Sequence, residues 1–169
     1  MRKIFLIIFI FLSLALSFNK TAYGQVSSAV PKNLNIIKEN RVQVLQQFFK
    51  KFDSPLANFS EDFIAAADFY NIDWRLLPAI SGVESTFGKQ MISGTYNAYG
   101  WGGGIIRFES WPDGIWTISS ALREKYIDKG ADSIYKIGRI YCPPNPLWAS
   151  KVQGFMDKIE ATTSLTPNL

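Results

Sequence analysis

With 169 residues, 47% of them hydrophobic, the chain has the size of one ordinary globular domain plus an N-terminal extra. It holds no histidine and one cysteine, Cys142. That excludes His-dependent nucleophile triads, leaves a zinc hydrolase without its usual ligands, and means that no disulfide staples the fold. The formal charge of +4 is carried largely by residues 1–24, whose Arg2, Lys3 and Lys20 stand without an acid; removing those three of the 18 basic residues leaves 15 against 14 acidic ones. A balance of +1 excludes a basic surface for nucleic acid.

Residues 1–24 have a basic start, an apolar run over 4–16 interrupted only by Ser13, and Ala22 and Gly24 at the two positions that a signal peptidase reads. The run falls short of the ~20 residues of a membrane helix. Cleavage is expected after Gly24, so the chain is read as exported to a periplasm or cell surface, with the export signal as its contact with a membrane. Residues 25–35 are polar and mixed, a flexible lead.

Helical periodicity begins near Ile36, where Val42, Leu45, Phe48, Phe49 and Phe52 recur at three- and four-residue spacing. Asp53, Ser54 and Pro55 break that helix. Ser60 opens the next, with Glu61 and Asp62 in its first turn and Phe63, Ile64, Ala67 and Tyr70 on its apolar side. Asp73 can cap a third helix, in which Leu76, Leu77, Ile80 and Val83 form the apolar pattern and Pro78 calls for a nearby start or a bend. Glu84 lies four residues after Ile80 and seven after Leu77, on or beside the apolar face. Partial burial there favours the protonated carboxyl, which is what a general acid needs near neutral pH. The plainer alternative for a lone glutamate at a helix end is a surface charge or a partner for Lys89. Ser85, Phe87 and Gly88 close the helix, with Gly88 as the expected left-handed cap.

Residues 89–104 have no sustained period and set Gly94, Gly100, Gly102, Gly103 and Gly104 among Tyr96, Asn97, Tyr99 and Trp101, a loop with room for a small hairpin at 105–108. It is not a phosphate loop, for no Lys and Ser/Thr follow the glycines. Ser110, Pro112 and Asp113 mark a helix start, continued by Ile115, Ile118, Leu122 and Tyr126. A short segment opens at Asp132 with Ile134 and Ile137 on one side. A rigid crossing at 142–146 then leads to a last helix through Trp148, Val152, Phe155, Met156 and Ile159, and residues 162–169 read as a frayed tail. Trp111, Trp116 and Trp148 are assigned to the core. The sum is an all-α domain over residues 36–161.

In order, Glu84-Ser85 with Phe87-Gly88, then Asn97-Ala98-Tyr99-Gly100, then 108–114 (FESWPDG) and later Tyr141 resemble the lysozyme-like peptidoglycan-cleaving enzymes over roughly residues 60–160. The helix that ends in Glu-Ser is similar to that of the lytic transglycosylases. The later Asn97 to Gly100 and 108–111 motifs are similar to those of the bacterial endo-β-N-acetylglucosaminidases. The Gly-Leu-Met-Gln segment usual in transglycosylases is replaced by residues 99–104 (YGWGGG), which favours the glucosaminidase branch. The resemblance implies a lysozyme-like helical fold with Glu84 as catalytic acid. It implies a substrate-binding role for Ser85, Asn97, Tyr99, Trp101 and Tyr141, the rings of Tyr99 and Trp101 stacking on sugar faces and the Tyr141 hydroxyl facing Glu84. It further implies action on β-1,4-linked peptidoglycan strands by a mechanism that needs no cofactor; the sequence shows no metal-ligand cluster, and a monomer is the expected state. Glu109 and Asp113 are the nearby acids able to assist, Asp113 being better explained as a helix cap. The rival reading is a glycan-binding or cell-surface assembly module that keeps the groove without the chemistry.

Overall fold

The computed structural model describes residues 32–163. The export segment, most of the lead and the tail from 164 lie outside the described residues. Six α-helices follow one another: α1 Lys32–Lys50, α2 Ser60–Phe69, α3 Leu76–Ser85, α4 Trp111–Ala121, α5 Ile134–Tyr141 and α6 Trp148–Thr163. A 3-10 turn, Pro55–Phe59, joins α1 to α2, and a π-helical turn, Leu122–Tyr126, prolongs α4. The all-α expectation holds, with no strand among the described residues.

Residues 76–83 of α3 are all apolar or small, and Leu76, Leu77, Ala79, Ile80, Ser81 and Gly82 are all buried. A helix apolar on all faces must sit inside other helices. Here α3 packs chiefly on α6, while α1 leans on α2 and α6, and α4 on α2. Pro78 is the third residue of α3, where its missing N–H would have had no partner in any case, so the helix starts near it as expected. Asp73 stands before the helix: its Oδ1 accepts from the Arg75 N–H at 3.0 Å, and Arg75 takes the cap position. Asp113 does serve the start of α4, accepting from the Glu109 N–H at 2.9 Å while Ser110 Oγ accepts from Asp113 N–H at 3.2 Å.

Three expectations are corrected. Helix α1 begins at Lys32, within the supposed flexible lead; its first turns carry exposed Leu34, Ile36 and Ile37, so packing periodicity could not reveal them. Helix α6 runs on through Thr163, since Thr162 is buried and its Oγ1 donates to the Lys158 carbonyl at 3.0 Å. No hairpin forms at 105–108; one backbone bond, Phe108 N–H to the Thr95 carbonyl at 2.9 Å, and a side-chain bond from Asn97 to the Ile106 carbonyl tie that stretch back to the loop.

The exit from α3 also differs from the Gly88 cap. Thr86 caps the helix with φ 52°, and Phe87 (59°) and Gly88 (81°) follow it in the left-handed region. That region costs a non-glycine residue roughly 1–2 kcal/mol. The cost is met by bonds and burial: Phe87 N–H reaches the Ser81 carbonyl at 2.9 Å, and Ser54 Oγ donates to the Phe87 carbonyl at 2.8 Å. The Phe87 ring meets Phe52 at 4.5 Å, Phe155 at 4.9 Å and Phe48 at 5.4 Å. Full burial of one such ring contributes ~1.5–3 kcal/mol. The tight turn therefore fixes the end of α3, and with it Glu84, against the core.

Candidate active site

Glu84 leaves the last turn of α3 half-buried. Burial pushes its carboxyl up from the ordinary glutamate value, and the Trp148 indole N–H, donating to Oε1 at 2.6 Å, pulls it partly back. Trp148 opens α6, the helix on which α3 packs, and its ring is 1% exposed. One oxygen is thus fixed by a buried donor. The other, Oε2, lies against Gly100, where a Cβ would stand only 2.5 Å from it. Glycine is needed at 100 for that approach, and its φ of +64° suits glycine as well. Lys89 is not the partner of Glu84; its Nζ donates to the Phe52 carbonyl at 2.6 Å.

The loop holding Gly100 is shaped by one side chain. Buried Asn97 donates through Nδ2 to the carbonyls of Trp101 (2.8 Å) and Ile106 (2.9 Å), and its Oδ1 accepts from the Trp101 N–H at 3.0 Å. Ser85, also buried, donates to the Ala98 carbonyl at 2.7 Å and accepts from the Gly88 N–H at 2.8 Å, so it locks this loop to the end of α3. Both residues hold the site together from behind rather than facing a ligand.

Beside Gly100 opens a cavity of about 350 Å³ lined by Trp101, Gly102, Gly103, Ile106, Tyr126 and Tyr141. The Tyr141 ring stacks on Trp148 at 5.0 Å and lies 5.9 Å from Trp101. Its hydroxyl donates to the Tyr99 carbonyl at 2.6 Å. Burial first, and the charge of Glu84 second, push the Tyr141 phenol well above its ordinary range, so it stays a neutral donor. Trp101, half-buried, is part of the cavity wall.

Tyr99 departs from expectation. Its ring is fully buried and offers no face to a ligand, so only its backbone carbonyl takes part, through Tyr141. Its hydroxyl, within electrostatic reach of Asp62, has no hydrogen-bond partner among the described residues. Glu109 and Asp113 do not line the cavity beside Glu84. Trp148 does belong to the core, and its role toward Glu84 is the feature missed from sequence. A buried indole N–H needs an acceptor, yet 64 residues separate this pair and nothing local matches them. Among the described residues no group of three or more His, Cys, Asp and Glu side chains could hold a metal ion.

Chemically, the arrangement offers one carboxyl with raised proton affinity, a fixed orientation and one unengaged oxygen at the edge of an aromatic-walled cavity. It can deliver a proton to an ether or glycosidic oxygen and take one back from an attacking hydroxyl. Set beside known proteins, the chain matches no family model and no curated protein.

Proposed function

We propose that this chain is exported and cleaves β-1,4 bonds between N-acetylglucosamine and N-acetylmuramic acid in bacterial peptidoglycan strands, with Glu84 as acid and then base. The reading rests on one observation: the Glu84 carboxyl is half-buried at the end of the central helix, bonded to Trp148 through one oxygen, with the other against Gly100 at the edge of the aromatic cavity. Burial raises its affinity for the proton that the leaving oxygen requires. The flat faces of Trp101 and Tyr141 suit the apolar faces of sugar rings.

The cavity lining itself contains no carboxylate, and Glu84 stands behind Gly100 at its edge. That favours a route in which Glu84 performs both proton transfers and the attacking group is water, as in a glucosaminidase, or the muramic acid 6-hydroxyl, as in a lytic transglycosylase. In either case Glu84 first protonates the leaving oxygen as the glycosidic bond breaks. The resulting carboxylate then takes the proton of the attacking hydroxyl as the new C–O bond forms.

The test is mass spectrometry of fragments released from purified peptidoglycan by the chain and by its Glu84→Gln variant. Anhydro-muramic ends mark a transglycosylase and reducing N-acetylglucosamine ends a glucosaminidase; release by the folded Glu84→Gln protein sinks the assignment. Binding of strands without any release by the parent chain would support the assembly-module reading instead.

A further inference from the structure

A second cavity, about 310 Å³, lies between α5 and the start of α6, with Tyr135, Arg139, Cys142, Pro143, Pro146 and Ala149 among its walls. Pro143 bars α5 from continuing and holds Cys142 out of helical backbone, at φ −140° and ψ 67°, so the chain swings away and leaves the hollow open. No lining residue is shared with the cavity beside Glu84. The two are neighbours all the same: Tyr141 lines the first and Cys142 the second. Gly138, another wall residue of the second, would put a Cβ 3.0 Å from the Trp148 ring that holds Glu84. An occupant of the second hollow therefore leaves the first open.

Two features of this hollow serve no purpose in the fold. Tyr135, in its wall, is 62% exposed, and Ile140 and Leu147, each one residue on from a wall residue, are exposed as well. Large apolar side chains left in water beside a concave site mark an interaction surface. The other feature is a charge. Arg139 is the one charged group in the lining, and its guanidinium makes no ion pair or hydrogen bond with another described residue, whereas Lys136 on the same helix is held by Asp132 at 2.8 Å.

We propose that this hollow docks a partner protein through an extended acidic segment, in which a carboxylate flanked by aliphatic residues bonds to Arg139 and an aliphatic side chain fills the hollow. A guanidinium with no acid beside it is the complement of an anion, and its planar fork matches a carboxylate through two parallel bonds. Arginine and tyrosine next to apolar side chains are also what the centres of protein interfaces are rich in. Concavity selects a peptide over a membrane, because a flat bilayer surface cannot enter a hollow that a single side chain can. The volume lies at the low end of the ~300–1,000 Å³ of ligand pockets, which suits one or two side chains. The inference stands apart from the glycan reading and survives its failure.

Cys142 supplies the test, being the sole cysteine of the chain, partly exposed and in the wall of the hollow. Its rate of alkylation by iodoacetamide is measured against increasing concentrations of a blocked hexapeptide of alternating leucine and glutamate, and against the same peptide with glutamine or lysine in place of glutamate. The glutamate peptide is expected to slow alkylation with a midpoint in the millimolar range, and the other two to leave it unchanged. Arg139→Gln should move that midpoint up roughly three- to tenfold, and Tyr135→Ala roughly two- to fivefold, each variant being compared with its own rate without peptide. Both changes fall on exposed residues, so the core is spared. No slowing by the glutamate peptide, equal slowing by all three peptides, or protection that persists undiminished in Arg139→Gln overturns the proposal. Slowing by vesicles of anionic phosphatidylglycerol, without any by the glutamate peptide, overturns it in favour of a membrane face.

Discussion

Two carboxylates of this chain are built alike and placed differently. Glu84 and Asp62 are both partly withdrawn from water, burial pushes both above their ordinary values, and a tryptophan partly offsets the push in each case, Trp148 through its 2.6 Å bond to Glu84 and Trp116 by its nearness to Asp62. Tyr99 lies between the two settings: its carbonyl receives the Tyr141 hydroxyl beside Glu84, while its own hydroxyl feels the charge of Asp62. What separates them is what the carboxyl meets. Glu84 Oε2 stands against Gly100, a residue that lines the aromatic cavity, whereas Asp62 sits in the first turn of α2 with Glu61 adjacent. A raised proton affinity alone does not make a catalytic acid; it also needs an unengaged oxygen beside space for a substrate.

The sharpest way to break this contrast is to neutralise each acid in turn. Glu84→Gln should lower strand cleavage by roughly 10²–10⁴-fold or more, the usual worth of a general acid and base. Asp62→Asn should lower it by no more than about tenfold, because Gly100, which lines the cavity, stands against Glu84 instead. Comparable losses in a fragment-release assay would mean that Asp62 is a second working acid. Next in size is Gly100→Ala, which drives a Cβ into Glu84 Oε2 and should reduce cleavage at least about tenfold. Gly104→Ala provides the control. It has a similar positive φ, +82°, and meets nothing within 4 Å, so it shares the backbone cost of roughly 1–2 kcal/mol without touching the carboxylate. If both variants lose activity equally while melting alike, the close approach at Gly100 has no part in the chemistry.

A smaller effect sharpens the role of the indole. Its N–H stabilises the ionised form of Glu84, so Trp148→Phe should raise the carboxyl further and move the alkaline limb of kcat/KM to higher pH. A limb that stays in place, or moves to lower pH, would show that Trp148 acts by packing alone.

How much of this could be read beforehand follows from the range of the interactions. Glu84 was legible because a charge on the apolar face of α3 is a local anomaly, visible within seven residues. The start of α4 was legible for the same reason, since Ser110 and Asp113 act on neighbouring N–H groups. Trp148 and Tyr126 were not, for they reach the site through the packing of distant helices, and a sequence marks them only as large and apolar. Tyr99 misled in the opposite sense: its motif position placed it at the site, and so does the structure, but by its carbonyl. The loop at 105–108 was open to a hairpin until Asn97 was seen to hold its carbonyls, a job that one amide does in place of a strand ladder.

The smallest expected effect concerns stability and bears on both acids. A carboxyl whose proton affinity is higher in the folded chain binds more protons folded than unfolded between its ordinary value and its raised one. Stability therefore falls as pH rises through that interval, and the deficit persists above it. For Glu84 the interval opens at the ordinary 4.5 and for Asp62 at 3.8. A neutral amide of the same shape escapes this penalty and still accepts the indole bond. Glu84→Gln should consequently melt slightly above the parent at pH 7, the gap closing as the pH is lowered toward 4.5, and Asp62→Asn should behave likewise with closure nearer 3.8. Thermal melts of the three chains across pH 3–7 decide the matter. A Glu84→Gln variant that melts below its parent at neutral pH would mean that the carboxylate is stabilised where it stands, and an acid so stabilised would be a poor proton donor to any sugar in that cavity.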